Sequence, residues 1–446
     1  MPDTPSDPSR RRFFRTFSQD AVQAAVQVVG AAGALQRGAS AAAGEMLGLS
    51  SPDAAAGGAS AGDPASGPRV PGGSAAPTGF RSPYRVEGEA VIVLDQLDFP
   101  GRIVEHRCTS VDELAGLIRM RRTRGAPLLA QLGAYGIWLA ALSGRGAAAP
   151  ARAAMVDRAV LRLRLAAPNV PALAAAAGQV VTAARADDPQ RDGITVAAGA
   201  RAAADALAMS LTLDLRRLVE AGAAVLEQPA GRPLEILTLD STGPLGGGLV
   251  GTALGVVLAA ASAGREVHAW LLETRPYRSG ARLASWELGL AGVPATVVPD
   301  SAAGWLLARA GIDVVLLGAD RIAADGSVTA VIGTRGVARL ARDVGVPVYA
   351  AGPLLSVDAA TADERGSSVD AEAYVGLGEP DLLASDAPGA VTARGPLQDV
   401  TPPELLDGLV TEAGVIRPPF GAALAAALAE AAMALRAGVA AGEAHA

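Results

Sequence analysis

Two carboxylates follow predicted strands at positions suited to acid–base chemistry. Asp240 comes directly after the apolar run Glu235–Leu239, and Asp320 follows the run Val314–Leu317. Open α/β sheets bind ligands at the carboxyl ends of their strands. Two carboxyl groups sharing such a crevice push their pKa values apart, so that one can act as acid and the other as base. The alternative for Asp320 is a helix N-cap.

A glycine-rich segment after Asp240 is typical of a phosphate-binding turn. It runs from Gly243 to Gly251 and leads into a predicted helix, Thr252–Ala263. A flexible backbone leaves N–H groups free to face an anion, and the helix N-terminus adds the positive end of its dipole. We therefore expect backbone contacts to phosphate here. The predicted phosphate-binding residues of this segment are Gly247, Gly248, Gly251 and Thr252.

Two further turns offer charged side chains to the same crevice. In the turn Arg121–Pro127, Arg124 stands beside Gly125, an arrangement that suits a phosphate or a hydroxyl-rich sugar. The alternative is a solvated turn. Glu273 and Arg275 follow a predicted strand and would point into the crevice, whereas the alternative is a structural Glu–Arg pair at a helix start.

Composition excludes several classes of function. The net charge of −7 and a pI near 5.2 argue against broad nucleic-acid binding, which needs a basic face. All 38 basic side chains other than histidine are arginine, so a P-loop lysine and a Schiff-base lysine are both excluded. One cysteine and three histidines, not spaced as ligands, predict no metal site.

The elements that must position these residues alternate in type after Pro229. Strands interleaved with helices at this spacing predict a parallel, doubly wound sheet. The predicted strands are Glu235–Leu239, Glu266–Leu272, Ala295–Val298, Val314–Leu317 and Val346–Ala350. The predicted helices are Thr252–Ala263, Gly280–Ala291, Gly304–Ala310 and Gly336–Asp343, with a final alanine-rich helix at Ala422–Ala440.

The part of the chain before Pro229 is predicted to be mostly helical. A short strand at Val91–Leu94 precedes helices at Val111–Met120 and Leu128–Leu142. The pattern from Val156 to Leu218 is helical almost throughout, with breaks near its two prolines. No uninterrupted run of about 18 apolar residues occurs, so we expect no membrane-spanning helix.

The first eighty residues differ from the rest. Residues 1–80 combine a basic, aromatic start and a weakly apolar helical pattern with a linker rich in Ala, Gly, Ser and Pro, Ser50–Pro77. We expect this helix to dock on the body of the protein, on a partner or on a membrane surface. The alternative is a twin-arginine export signal; otherwise a cytoplasmic location is expected. The other predicted divisions are residues 84–225, 230–420 and 421–446.

Several short motifs together resemble a known enzyme family. In the same order, they match the methylthioribose-1-phosphate isomerase family, within the superfamily of the α, β and δ regulatory subunits of translation initiation factor 2B and the ribose-1,5-bisphosphate isomerases. The motifs are Leu94–Gln96, Arg124–Pro127, Gly251–Gly255, Glu273–Pro276, Gly280–Leu283, Trp286–Leu288, Asp300–Ser301, Gly318–Ile322, Asp399–Pro403 and Ile416–Pro419.

The resemblance implies a fold, a reaction and an assembly. It implies a mostly helical N-terminal domain, a Rossmann-like doubly wound parallel sheet domain of the α/β class, and a homodimer. The family's reaction opens a furanose 1-phosphate ring and moves a hydrogen from C2 to C1, giving a ketose phosphate with neither metal nor organic cofactor. The retained catalytic aspartate of the family would be Asp320.

The sequence resembles a divergent member of this family, because it departs from the family's pattern at several positions. Asp240 occupies the place of the family's catalytic cysteine, flanked by Leu239 for a histidine and Ser241 for an asparagine. Other family groups are replaced at Ser279, at Ala330–Val331 and, on a looser alignment, at Ala167. Most of the replaced groups hold substrate in the family.

Three interpretations of this divergence are open. A buried carboxyl can have a raised pKa and donate a proton as a thiol would, so Asp240 and Asp320 are the predicted catalytic pair of a sugar 1-phosphate isomerase. The second interpretation is a catalytically inactive, initiation factor 2B-like regulatory protein that binds a sugar phosphate or nucleotide. The third is an isomerase for a sugar of different charge.

Overall fold

The computed structural model describes residues 80–184, 187–362 and 395–444. The predicted N-terminal helix and its linker therefore lie outside the described residues, as does the segment 363–394. The export and docking hypotheses for the N-terminal extension stay predictions.

A small antiparallel sheet opens the described chain. Its strands are β1 (Tyr84–Glu87), β2 (Ala90–Leu94) and β3 (Glu105–Cys108), paired in that order. All five residues of β2 are buried, and the Tyr84 ring lies 5.7 Å from the ring of Tyr135 in the helical layer behind it. The loop after β2 carries Gln96, whose Nε2 donates to the Leu245 carbonyl in the glycine-rich segment at 3.0 Å.

Five helices follow and form the helical layer. They are α1 (Val111–Arg119), α2 (Ala126–Ser143), α3 (Ala149–Ala166), α4 (Pro171–Ala183) and α5 (Gly193–Ala224). Helix α2 is apolar on every side, and such a helix is normally enclosed by others. It packs against α3, α4 and α5. By length and composition alone α2 and α5 could span a membrane, but 94% of the α2 window is buried inside this fold.

The long helical pattern from Val156 to Leu218 is divided twice. The first break, after Ala166, is where the prolines predicted it. The second break was not predicted: α4 ends at Ala183 and α5 starts at Gly193. Asp192 caps α5, because its carboxylate accepts a hydrogen bond from the Thr195 N–H at 2.8 Å.

The predicted parallel sheet is confirmed, and it contains seven strands. They are β4 (Leu234–Thr238), β5 (Val267–Leu272), β6 (Ala295–Val298), β7 (Val314–Gly318), β10 (Val348–Ala351), β13 (Gly408–Thr411) and β14 (Gly414–Ile416). Their order in the sheet is β14-β13-β10-β7-β4-β5-β6, and all neighbours are parallel except the edge strand β14.

Helices cover both faces of this sheet, as a doubly wound topology requires. The helices are α6 (Ala253–Ser262), α7 (Ser285–Leu290, entered through a π-helical turn at Gly280–Ala284), α8 (Ala303–Arg309), α9 (Thr334–Val344) and α10 (Phe420–Ala444). Successive residues of β4 point to opposite cores. Ile236 joins the apolar cluster under α5 and α6, whereas Leu237 joins the cluster under α8 and α9.

A second small sheet lies beside the carboxyl edge of the large one. Its order is β11-β8-β9-β12, formed by Val357–Asp358, Arg321–Ala323, Val328–Val331 and Gln398–Thr401. None of these strands was predicted, because segments of two to four residues show no readable alternation. This sheet matters for function, since β8 begins directly after Asp320 and β12 begins with Gln398.

Two glycines form a close backbone contact between the helical part and the sheet part. Gly125 precedes α2 with φ +104°, and a Cβ atom at Gly125 would lie 1.9 Å from the Gly246 carbonyl oxygen. Only a residue without a side chain fits this contact and this backbone conformation. Arg124, the preceding residue, lies near Asp240 and Asp320, which follow β4 and β7 in the chain.

We expect Gly125→Ala to destabilise the fold and disturb the cleft, because the methyl group meets backbone rather than a flexible side chain. The left-handed conformation alone costs about 1–2 kcal/mol for a residue with a Cβ, and the collision adds to it. The measurement is the free energy of unfolding by denaturant titration. Gly116→Ala within α1 is the control, since a Cβ there would meet nothing within 4 Å. A Gly125→Ala variant as stable as wild type would contradict this account.

Candidate active site

A cleft lies at the carboxyl edge of the seven-stranded sheet, under the turn that carries Arg124. It has two adjoining parts of ≈ 440 and ≈ 410 Å³, open to solvent. Asp240, Asp320 and Gly125 line both parts. Two carboxylates that are 80 residues apart in sequence therefore face one space, at the carboxyl ends of strands where a ligand site was predicted.

Asp320 is held in this cleft by backbone and side-chain contacts. Its N–H donates to the Thr329 carbonyl at 2.9 Å, and its Oδ2 accepts a hydrogen bond from Gln398 Nε2 at 2.6 Å. Burial, followed by the nearby charge of Asp240, raises the pKa of Asp320 to about 6. A carboxyl group with that pKa exchanges protons readily near neutral pH.

Asp240 takes a strained backbone conformation that turns its side chain into the cleft. Its φ is 66°, in the left-handed region that non-glycine residues seldom adopt. Its N–H donates to Thr274 Oγ1 at 2.8 Å, and its Oδ1 accepts a hydrogen bond from Ser279 Oγ at 2.5 Å. The Ser279 hydroxyl, which stands where the family carries a glutamine, thus fixes the rotamer of Asp240.

Arg124 supplies a buried positive charge to the second part of the cleft. Among the described residues, its Nε and Nη2 atoms have no hydrogen-bond partner although both are buried. The guanidinium lies 5.1 Å from the centre of the Tyr277 ring. Burial lowers the pKa of Arg124, and the charge of Asp240 opposes that shift. Unsatisfied guanidinium donors in a cleft are suited to an anionic ligand.

The predicted phosphate contacts from glycine N–H groups need correction. The N–H groups of Gly247, Gly251 and Thr252 donate to carbonyls within the loop, at 3.1 Å or less. These donors are therefore already used in folding the loop. Gly247 and Thr252 still line the cleft, whereas Gly248 packs against Gln131 outside it. The glycines serve close packing: a Cβ at Gly247 would lie 2.2 Å from the Gly251 Cα.

Glu273 and Arg275, both predicted to point into the cleft, differ in where the structure places them. Arg275 lines the cleft, and its N–H donates to Asp300 Oδ2 at 2.7 Å. Glu273 does not line either part; its Oε2 lies 3.4 Å from Arg278 Nε. For Glu273 the structural Glu–Arg pair therefore describes the geometry better than a ligand contact.

Glu287 anchors the glycine-rich loop from below. It is fully buried, and its Oε1 accepts a hydrogen bond from the Leu245 N–H at 2.6 Å. Among the described residues its Oε2 has no partner, and a Cβ at Gly243 would lie 2.4 Å from that oxygen. Burial raises the pKa of Glu287 to about 8. The side chain is therefore mostly a neutral acid at pH 7.

The walls of the cleft carry the residues that replace the family's polar groups. The resemblance identified these positions, and all but one of them line the cleft. The lining replacements are Leu239, Asp240, Ser241, Ser279, Ala330 and Val331. Ala167 is buried in the helical layer instead.

Sequence reasoning missed several polar residues of the cleft, among them Gln398 and Tyr277. Gln398 stands directly before the Asp399–Pro403 motif, and that neighbourhood was the only available signal. Its contact with Asp320 crosses 78 residues and depends on strand pairing that was not predicted. Within residues 80–184, 187–362 and 395–444, no three His, Cys, Asp or Glu side chains are grouped to hold a metal ion.

Comparisons with known proteins agree on the kinship of the chain. Residues 122–418 match the model of the initiation factor 2 subunit family. A methylthioribose-1-phosphate isomerase of Desulforudis audaxviator is 38% identical over 337 residues, which cover 74% of this chain and 93% of that protein.

Two solved structures share the fold. The 5-methylthioribose 1-phosphate isomerase of Pyrococcus horikoshii OT3 superposes with a TM-score of 0.67 at 26% identity, covering 79% of this chain and 97% of that one. The delta subunit of translation initiation factor eIF-2B from A. fulgidus superposes with a TM-score of 0.61 at 31% identity, covering 76% and 96%.

Glu287 makes a testable contribution to stability. Its pKa rises from an ordinary 4.5 to about 8 on folding. The folded state therefore holds a proton that the unfolded state loses, and this stabilisation is lost as the pH rises through that window. We expect wild-type stability to fall relative to Glu287→Gln as pH increases, by at most about 1.4 kcal/mol per pH unit. Denaturant titrations from pH 4.5 to 8 measure this, with the exposed Glu404→Gln as control. Parallel profiles for wild type and Glu287→Gln would refute it.

Proposed function

This chain belongs to the initiation factor 2 subunit family, and on that premise we propose that it is an intramolecular aldose–ketose isomerase acting on a sugar 1-phosphate of the methylthioribose 1-phosphate class. The observation that carries the proposal is the pairing of two carboxylates with an unsatisfied buried guanidinium in one cleft. Asp240 and Asp320 provide acid and base, and Arg124 provides an anion site.

The reaction needs one proton delivered and one removed. Opening the furanose ring requires a proton on the ring oxygen as its bond to C1 breaks. The hydrogen on C2 then moves with its bonding electron pair to C1, which reduces C1 and oxidises C2, while the C2 hydroxyl loses its proton; this leaves a ketone at C2 and the phosphate ester at C1. One proton enters and one leaves, so the product is an isomer of the substrate.

The environments of the two carboxyl groups support a division of these roles. Asp320, whose pKa is raised to about 6, retains a proton more readily and is assigned the acid. Asp240, which accepts a hydrogen bond from Ser279, is assigned the base that takes the hydroxyl proton. A carboxylate in place of the family's cysteine therefore leaves the acid–base chemistry possible.

The phosphate is assigned to the arginine side of the cleft. Arg124 offers Nε and Nη2, and Arg275 lines the same part. Because the N–H groups of Gly247, Gly251 and Thr252 are used within their loop, the side chains take the role that the sequence assigned to backbone. A hydrogen bond to a charged group contributes about 1.5–3 kcal/mol, so the two arginines can hold a phosphate group at moderate affinity.

We also propose a homodimer. Helices α8 and α9 leave large apolar side chains exposed, with Trp305 59%, Val344 48% and Leu340 39% accessible. Exposed apolar patches of this kind are typical of interaction surfaces. We expect light scattering to give about twice the 44.5 kDa chain mass, and Trp305→Ser to lower it. A monomer at micromolar concentration would contradict the assembly.

The function is tested with purified protein and methylthioribose 1-phosphate or ribose 1,5-bisphosphate, following ketose formation. We expect turnover that declines as the pH rises through about 6, because the protonated form of Asp320 is lost. Asp320→Asn should lower kcat by about 10²- to 10⁴-fold, the usual contribution of a general acid.

The matched control is Asp343→Asn, an aspartate on α9 whose side chain is half-exposed and pairs with Arg339 outside the cleft. It should leave turnover unchanged. Folded wild-type protein that turns over neither sugar would overturn the isomerase proposal. A ligand-dependent rise in Tm without turnover would instead favour the regulatory interpretation, in which the cleft binds a sugar phosphate for control.

A further inference from the structure

Gln398 occupies a central position between the two parts of the molecule. It is the first residue of β12 and is 5% exposed. Its Nε2 donates to Asp320 Oδ2 at 2.6 Å, and its Oε1 accepts a hydrogen bond from Asn169 Nδ2 at 3.4 Å. Asn169 belongs to the loop between α3 and α4, so the amide connects the helical layer with a catalytic carboxyl.

The chemistry of the neighbours determines which way the amide points. The carboxylate of Asp320 can only accept when ionised, so it selects the Nε2 end of Gln398. The Asn169 amide presents its donor nitrogen to the other end, which selects Oε1. An adjacent contact holds the same loop in place, because Arg321 Nη2 donates to the Pro168 carbonyl at 3.1 Å.

We propose that Gln398 is a positioning residue for the acid of the reaction: it occupies Asp320 Oδ2 and leaves Oδ1 to carry the proton toward the cleft. This inference rests on the proposed function and deepens it. A glutamine suits the task because its amide nitrogen donates at every pH and cannot accept the proton from Asp320. A second carboxyl at this place would compete for that proton.

The same hydrogen bond tunes the acidity of Asp320. Burial and the charge of Asp240 raise the pKa of Asp320, whereas the amide of Gln398 and the charges of Arg121 and Arg124 lower it. Removing the amide removes one of the interactions that lower the pKa of Asp320, so we expect that pKa to rise. A residue that only fills space would change stability without changing this titration, so the titration separates the two roles.

The experiment is a titration of Asp320 in the full chain, by NMR of aspartate labelled with ¹³C at the side-chain carboxyl and assigned with Asp320→Asn. Gln398→Met keeps the volume and removes the donor. We expect it to move the Asp320 midpoint upward by about half a pH unit or more. Gln398→Glu should move it further, because two carboxyls then share one proton. Asn169→Ala should act in the same direction by a smaller amount.

The kinetic readout accompanies the titration. For Gln398→Met we expect kcat to fall about tenfold with KM within about twofold, and the alkaline limb of the pH profile to move with the Asp320 midpoint. Thr401→Val is the control, since Thr401 is buried on the same strand and its Oγ1 has no hydrogen-bond partner among the described residues. It should leave the Asp320 midpoint in place.

An unchanged Asp320 midpoint in Gln398→Met, or the same change in Thr401→Val, would overturn the inference. The proposed function fails separately, by absence of turnover in folded wild-type protein. In that event the NMR titration still decides whether Gln398 orients and tunes Asp320, because it requires no substrate.

Discussion

The close approach of Gly125 to Gly246 is the constraint on which the rest of the site depends. A Cβ at Gly125 would lie only 1.9 Å from the Gly246 carbonyl oxygen, so the two backbones touch where any side chain would separate them. That contact brings the turn of the helical part over the sheet edge and buries Arg124 beside Asp240 and Asp320. A separation of even a methyl group would move Arg124 away from the two carboxylates, which would weaken the charge–charge interactions among them.

Burial at this junction also accounts for the unusual ionisation of the site. Burial is the leading cause of the raised pKa in both Asp320 and Glu287. They differ in what surrounds them. Asp320 faces an open cleft with a second carboxylate nearby, so its proton can be used. Glu287 lies beneath the loop and accepts one N–H hydrogen bond, so its proton affects the stability of the fold and takes no part in the reaction.

Apart from Ala167, the replacements of the family's polar groups all line the cleft. Cysteine, histidine and glutamine positions have become Asp240, Leu239 and Ser279, and the new aspartate and serine are hydrogen-bonded to each other at 2.5 Å. Replacements that pair with one another in this way maintain a defined geometry. The curated relatives that cover three quarters of the chain are isomerases, which favours retained chemistry over a purely regulatory role.

The sequence by itself determined the class of fold and the two carboxylates. Apolar strands ending in Asp240 and Asp320 are local signals, because burial and strand ends are encoded within a few residues. It did not determine how the glycine-rich loop uses its N–H groups, or that Gln398 contacts Asp320. Those features depend on hydrogen bonds within a compact loop and on pairing between short strands far apart in the chain. Only the tertiary structure brings such groups together, because their partners are chosen by packing rather than by neighbouring residues.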